Sequence, residues 1–254
     1  MLEWSQIREE VTKSAQQEPI LASFLHATIL NHDTLEAALS FHLSNILDSA
    51  TLPAIAIREV IADAYQQQPE LITTCMQDLT ATYERDPVCQ CYSTPLLYFK
   101  GFHALQSYRI SHYLWEQQRR QLALFFQNRI STVLSVDIHP AAKIGSGLLI
   151  DHATGIVVGE TAVIEDDVSM LHSVTLGGTG NQTGDRHPKV GKGVLIGAGA
   201  KILGNLTIGA GAKIAAGSVV LHPVAPHTTV AGVPTQPIGQ PKQEQPALWM
   251  DQSI

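Results

Sequence analysis

The sequence predicts an α+β protein: an all-helical N-terminal half, then a parallel β-helix, then a flexible C-terminal tail. Three observations predict it. Apolar residues recur at helical spacing up to about residue 136, aliphatic residues recur every six positions from Asp137 onward, and Gln and Pro dominate after Pro234. A helix repeats every 3.6 residues and a strand every two, so a period of six fits neither. It is the signature of a solenoid in which each side of the coil is one short strand and a turn. The expected divisions are 1–136, 137–238 and 239–254.

In the helical half, Pro69 opens a segment whose apolar residues Leu71, Ile72, Cys75, Met76 and Leu79 share one stripe. Leu105, Tyr108, His112 and Trp115 form another single face, and Leu122, Phe125, Phe126, Ile130 and Val133 continue the pattern. Asp33 followed by Glu36 resembles a capping box, and Pro53 suits a first helical turn. These stripes read as core and helix–helix contact, and no chemistry is assigned to them.

In the second half the repeated position is held by Ile138, Ile144, Ile150, Val158, Ile164, Met170, Leu176, Val190, Ile196, Ile202, Ile208, Ile214 and Val220. Ten of the twelve intervals are six residues, one is eight and one is fourteen. The repeated residue points inward and stacks on its copies, while Gly permits the corner, as in the paired GAGAKI at 197–202 and 209–214. A solenoid tolerates extra residues only where they leave the coil. The segments DHATGIV and GGTGNQTGDRHPK (177–189) should therefore loop outward, and each carries a histidine. Loops on a rigid scaffold are where function concentrates.

Bulk properties narrow the classes. A formal charge of −7 over 254 residues excludes a nucleic-acid or anionic-membrane partner, so any phosphate-rich ligand needs a local basic cluster. No apolar run approaches the ~18 residues that span a bilayer, and the charged N-terminus lacks the apolar stretch of a secretory signal. Cys75, Cys89 and Cys91 are an odd number and imply no disulfide framework, which points to a cytoplasmic enzyme. GTGNQTG is not a dinucleotide fingerprint, since no helical pattern follows it, and GAGAK lacks P-loop spacing.

The segments DIHPAAKIG (137–145), DHATGIVVGETAVI (151–164), SVTLGGTG (173–180), GDRHPK (184–189), GAGAKILGN (197–205) and AGVP (231–234) resemble the serine acetyltransferases. GFHALQSYR (101–109) and HYLW (112–115) match the helical part that distinguishes this family within the hexapeptide-repeat acyltransferases. The resemblance implies a left-handed coil and a homo-oligomer, a trimer or dimer of trimers assembled partly through the helical half. It implies transfer of acetyl from acetyl-CoA, a co-substrate, to the hydroxyl of L-serine, the first step of cysteine synthesis from serine. L-Cysteine would inhibit, and no metal or tightly bound cofactor is implied. Thr235 and His172 depart from residues common in the superfamily, Ala and Gln.

A serine hydroxyl is a poor nucleophile at neutral pH, so acyl transfer to it needs a general base. Histidine suits the task, and His152 in the DHATG loop is the candidate. The resemblance implies Asp137 as the carboxylate that orients it. The two are fifteen residues apart, three short of an eighteen-residue coil, so they are offset by ~10 Å along the strand direction. The outward loop must close that gap. By the same resemblance Asp86, Asp151, Arg186 and His187 hold the amino acid, and carboxylates with a guanidinium are a matched set for a zwitterion. His139 and His172 read as a coil-start residue and a solvated turn.

Acetyl-CoA should lie outside the later coils. Gly177, Gly178 and Thr179 offer close backbone approach, Ala198 and Ala216 leave room for the pantetheine arm, and Lys189, Lys192, Lys201 and Lys213 are candidates for its phosphates. Of these, Gly178, Ala198, Lys213 and Ala216 match family positions. The final residue, Ile254, is implied to dock into the sulfhydrylase that consumes O-acetylserine. Competing readings are an acetyltransferase for a sugar or homoserine, a zinc hydratase on the same coil using His222 and His227, and a bare scaffold.

Overall fold

The computed structural model describes residues 2–180 and 183–253. Its helical half contains Trp4–Gln17, Leu35–Leu47, Ala54–Gln67, Glu70–Arg85, Ser93–Tyr98, Lys100–Glu116 and Arg120–Leu134, with short turns between the first two. No helix among the described residues is long and apolar enough to cross a membrane.

Two helix starts differ from expectation. Thr34, not Asp33, caps Leu35–Leu47: its backbone is extended and its Oγ1 accepts from the Ala37 N–H at 3.3 Å. That geometry puts the cap oxygen three residues before its donor, which only Thr34 satisfies. Pro53 stands just before the helix Ala54–Gln67 instead of inside its first turn. Helix Lys100–Glu116 also departs from a single buried stripe, because residues 101–111 are all buried. Other helices pack on one side of it and the coil on another, so no face is left for solvent.

The coil is a left-handed parallel β-helix with three faces. The first face carries Val136–Ile138, Ile156–Val158, Thr175–Gly177, Lys201–Leu203 and Val219–Val220. The second carries Lys143–Ile144, Val163–Ile164, Lys189–Val190 and Thr207–Ile208. The third carries Leu149–Ile150, Ser169–Met170, Leu195–Ile196 and Lys213–Ile214, and ends in an antiparallel pair, Thr229–Gly232 with Thr235–Gly239. The repeated aliphatics stack in register: Ile138, Val158, Leu176, Ile202 and Val220 run up the first face. Ile150, Met170, Ile196 and Ile214 do the same on the third. Each such buried side chain contributes about 1.5–3 kcal/mol. Both long intervals fall at corners, 151–155 before the first face and, among the described residues, 178–180 and 183–188 after it.

The halves are joined by buried polar contacts. Asp78, fully buried, accepts from Arg109 at 2.7 Å, from Gln106 at 2.9 Å and from the Leu148 N–H at 3.0 Å, while Arg109 also donates to the Gly145 carbonyl at 2.8 Å. A charge removed from water needs such complete pairing. Gly101 lets the central helix touch the coil, since a Cβ there would stand 2.0 Å from the Ile150 carbonyl oxygen.

The tail expected to be flexible is anchored instead. Its short turn Pro246–Leu248 buries Ala247 completely against Leu171 and Leu195. Ser169 Oγ donates to the Ala247 carbonyl at 2.9 Å, and the Lys213 ammonium donates to the Ser253 carbonyl. The outward column Leu149, Ser169, Leu195, Lys213 and Thr229 on the third face is buried throughout. Small apolar residues in a Gln- and Pro-rich stretch sufficed to dock it. Ile254 lies outside the described residues.

Candidate active site

Two corners of the coil hold the predicted residues, one at each edge of the first face. The corner before that face is the DHATG loop. His152 and Ala153 both take left-handed backbone, with φ of +56° and +61°, a conformation that costs non-glycine residues energy. The loop persists because its surroundings fix it. Ala153 is fully buried, the Gly155 N–H donates to the Ser135 carbonyl at 2.8 Å, and Lys100 from the central helix donates to Thr154 Oγ1. The His152 side chain is thereby turned outward, 73% exposed.

Beside it lies a cavity of about 770 Å³ lined by Asp86, Lys100, Asp151, His152 and, from the tail, Trp249 and Met250. Asp86 follows helix Glu70–Arg85 and turns the chain by accepting from the Val88 N–H at 2.9 Å. Burial raises the Asp151 carboxyl above the usual carboxylate range; the nearby Asp86 charge adds to this, while His152 and His172 oppose it. Two carboxylates in one partly dry cavity are electrostatically suited to a cation. His152 Nε2 stands 3.7 Å from Asp151 Oδ2, too far for a hydrogen bond, and its ring meets His172 edge-on at 5.9 Å.

The corner after the first face is satisfied internally. The Thr161 N–H donates to His187 Nδ1 at 3.1 Å. A backbone N–H can only donate, so Nδ1 carries the lone pair and Nε2 carries the proton. Burial pushes the His187 pKa down, with the Arg186 charge adding, so the ring stays neutral. The ring packs on Gly159, where a Cβ would stand 2.1 Å from its Cδ2 and Nε2. Arg186 pairs with Glu160 at 2.7 Å, and that hydrogen bond holds the Glu160 carboxyl below its usual range.

Asp137 sits in the middle of the first strand, its Oδ1 accepting from Gln127 Nε2 at 2.7 Å. No hydrogen bond joins it to His152 among the described residues. Its charge acts on the neighbouring His139, as do those of Glu160 and Arg186 from the second corner. Within one chain the ~10 Å offset expected from the spacing is not closed by the loop.

The co-substrate residues divide in the same way. Ala198 and Ala216 stack above His152 and His172 on the first corner, linked by the Gly217 N–H to the Ala198 carbonyl at 2.7 Å. They form a ridge without side chains beyond Cβ. Gly178 and exposed Thr179 lie on the second corner. The lysines read as phosphate candidates are engaged locally. Lys189 pairs with Asp185 at 2.5 Å and Lys192 with Asp167 at 3.2 Å. Lys201 donates to the Gly199 carbonyl at 3.1 Å, and Lys213 is buried under the tail. Lys100, Gln127 and Glu160 were not singled out by the sequence. Lys100 lies immediately before the GFHALQSYR segment and Glu160 inside DHATGIVVGETAVI, while nothing local marks Gln127.

A family described as "Serine acetyltransferase, N-terminal" matches residues 4–107, and "Bacterial transferase hexapeptide (six repeats)" matches residues 187–222. A serine acetyltransferase of Escherichia coli (strain K12) is 61% identical over 249 residues, covering 98% of this chain and 91% of that protein. The crystal structure of a serine acetyltransferase from Vibrio cholerae O1 superposes with a TM-score of 0.98 at 58% identity, covering 99% of this chain and 97% of that one. A serine acetyltransferase solved in complex with cysteine gives 0.97 at 58% identity, covering 99% and 98%. An open histidine beside paired carboxylates, on a hexapeptide coil joined to this helical half, agrees with those likenesses along the whole length: the chain belongs to the serine acetyltransferase family.

Proposed function

We propose that this chain transfers the acetyl group of acetyl-CoA to the hydroxyl of L-serine, with each site assembled from two chains of a trimer. The observation that carries the proposal is the division of one chemical set between two edges of a single face. Asp86, Asp151 and His152 stand at one edge, Arg186 and His187 at the other, and Asp137 on the strand between them. A threefold arrangement of coils would bring one chain's first edge against its neighbour's second edge.

In that site the serine ammonium lies between Asp86 and Asp151. Its carboxylate meets Arg186 and the Nε2–H of His187 from the neighbour. The hydroxyl then faces His152, which removes its proton as the oxygen attacks the thioester carbon. Asp137 of the neighbour would stabilise the imidazolium, as a carboxylate does in other base dyads. Collapse of the tetrahedral intermediate expels the CoA sulfur, which takes the proton back from His152. The pantetheine arm runs along Ala198 and Ala216, with Gly178 and Thr179 opposite. Lys213 can meet a phosphate only when the Ser253 contact is released. L-Cysteine, which replaces the serine oxygen by sulfur, offers the same ammonium and carboxylate and would compete at this site. Ile254 would carry the sulfhydrylase contact; deleting it should abolish that binding and spare acetyl transfer.

A thiol-release assay with L-serine, homoserine and a galactoside tests the acceptor, and mixing tests the assembly. His152→Ala and Asp137→Ala chains, each crippled alone, are denatured together and refolded. Every mixed trimer would contain one intact site, so random mixing should restore about a quarter of wild-type activity. No recovery would place the whole site within one chain; release with another acceptor alone would sink the serine assignment.

A further inference from the structure

The one hydrogen bond made by the Asp137 carboxylate among the described residues comes from Gln127. Gln127 belongs to helix Arg120–Leu134, which buries Ala123, Phe126 and Ile130 and is tied at Arg129, whose Nε donates to the Leu47 carbonyl at 3.1 Å. Ser135 then takes left-handed backbone, φ +58°, and turns the chain directly into Val136–Ile138. The helix is thus folded back over the strand it precedes. That fold-back brings a side chain ten positions upstream onto the carboxylate at 2.7 Å.

The chemistry of this contact is selective. An amide N–H holds one carboxylate oxygen without neutralising the charge, whereas Arg or Lys would hold it and neutralise it. The other titratable groups on this side are His139, two residues along the chain, and the corner pair Glu160–Arg186. His139 is kept neutral by burial, and its Nδ1 accepts from the Ala141 N–H at 3.1 Å. Arg186 is bound to Glu160 at 2.7 Å. Among the described residues Asp137 therefore meets no cation, and its second oxygen is open to a group arriving from outside the chain.

We propose that Gln127 is a positioning residue for acetyl transfer: its amide fixes the Asp137 carboxylate so that the remaining oxygen meets the imidazole of His152. This rests on the reading of Asp137 as the partner of His152. Gln127 touches neither substrate and acts only through Asp137.

The test is steady-state kinetics with pH profiles of kcat/KM for Gln127→Ala, Gln127→Glu and Gln127→Arg, with Asp137→Asn as reference. Gln127→Ala should lower kcat about tenfold with both KM values held within about twofold. Gln127→Glu adds a negative charge near the dyad and should raise the pKa of the acidic limb. Gln127→Arg neutralises Asp137 and should lower it. Opposite shifts place position 127 in electrostatic contact with the dyad, and a loss of kcat in Gln127→Ala without a matching loss of thermal stability separates positioning from packing. In the Asp137→Asn background, Gln127→Ala should add no further loss. If Asp137→Asn is crippled while Gln127→Ala retains full kcat, or if the Glu and Arg variants shift the limb the same way, the role of Gln127 is overturned. If Asp137→Asn itself retains full kcat, the dyad fails first and the inference falls with it. The Glu variant is nearly isosteric, so it keeps the test open should the Ala variant fold poorly.

Discussion

The two edges of the first face are built from similar residues yet treated in opposite ways. At the DHATG corner, His152 is 73% exposed, in left-handed backbone, beside carboxylates that no Lys or Arg bridges among the described residues: Lys100 is occupied by Thr154 and Arg85 by Asp167. At the GDRHP corner, His187 is 7% exposed, its tautomer is fixed by Thr161, and Arg186 is already paired. One corner holds unmet demand and the other holds completed structure. A group that must gain and lose a proton is best left unsatisfied in the resting protein, while a group that only grips can be locked in advance. The contrast supports the proposed division between a base and a holder without appeal to sequence motifs.

The contrast can be broken most forcefully at its histidines. His152→Ala should cost about a thousandfold in kcat, the range of a lost general base, with the thermal midpoint unchanged because the side chain packs against little. His187→Ala should act the other way round. It should raise the serine KM about tenfold with a smaller effect on kcat. It should also lose roughly 1–3 kcal/mol of stability, since the Thr161 N–H loses its acceptor. Equal losses of kcat in both, at unchanged stability, would erase the distinction.

The smallest effect is in pH, and it carries opposite signs at the two corners. Asp151 has a raised pKa, so it takes up its proton at higher pH than an ordinary aspartate. The serine KM should therefore rise a few-fold as pH falls through that raised value, and Asp151→Asn should flatten the response. Across the window from the ordinary carboxylate value up to the raised one, the folded state holds the extra proton. Acidification through it stabilises the fold, and the gain is lost as pH rises past the raised value. His187 has a lowered pKa. Its contribution is present above the ordinary histidine value and is lost as pH falls through the lowered one, because the unfolded chain binds the proton first. Urea midpoints of His187→Gln and Asp151→Asn against pH should diverge from wild type in opposite directions; parallel shifts would contradict the two environments described.

How much of this was legible in the sequence depends on range. The six-residue period is a local property, and all thirteen repeated positions fell inside the coil; the register pairs Ile138 with Val158 and Leu176 with Ile202 across both interruptions. His152 and His187 were legible because they sit inside those interruptions. The anchoring of the tail was not, because it depends on Ala247 meeting Leu171 and Leu195 from opposite parts of the chain. Gln127 was hidden for a related reason: its role follows from a helix folding back at Ser135, and glutamine on a helix surface is otherwise unremarkable. The local partners of the lysines were hidden for the same reason, because counting charge says nothing of the carboxylates and carbonyls each one meets.

The interruptions have a consequence for how such a protein can change. After each excursion the strands recover their pairing, Val157 against Thr175 and Thr175 against Lys201, so an altered loop passes no error to the next coil. Length and composition at 151–155 and 178–188 can vary while the stack of aliphatics stays as it is. A new acceptor could be reached by redrafting two short passages of the chain, with the rest serving as an unchanged frame.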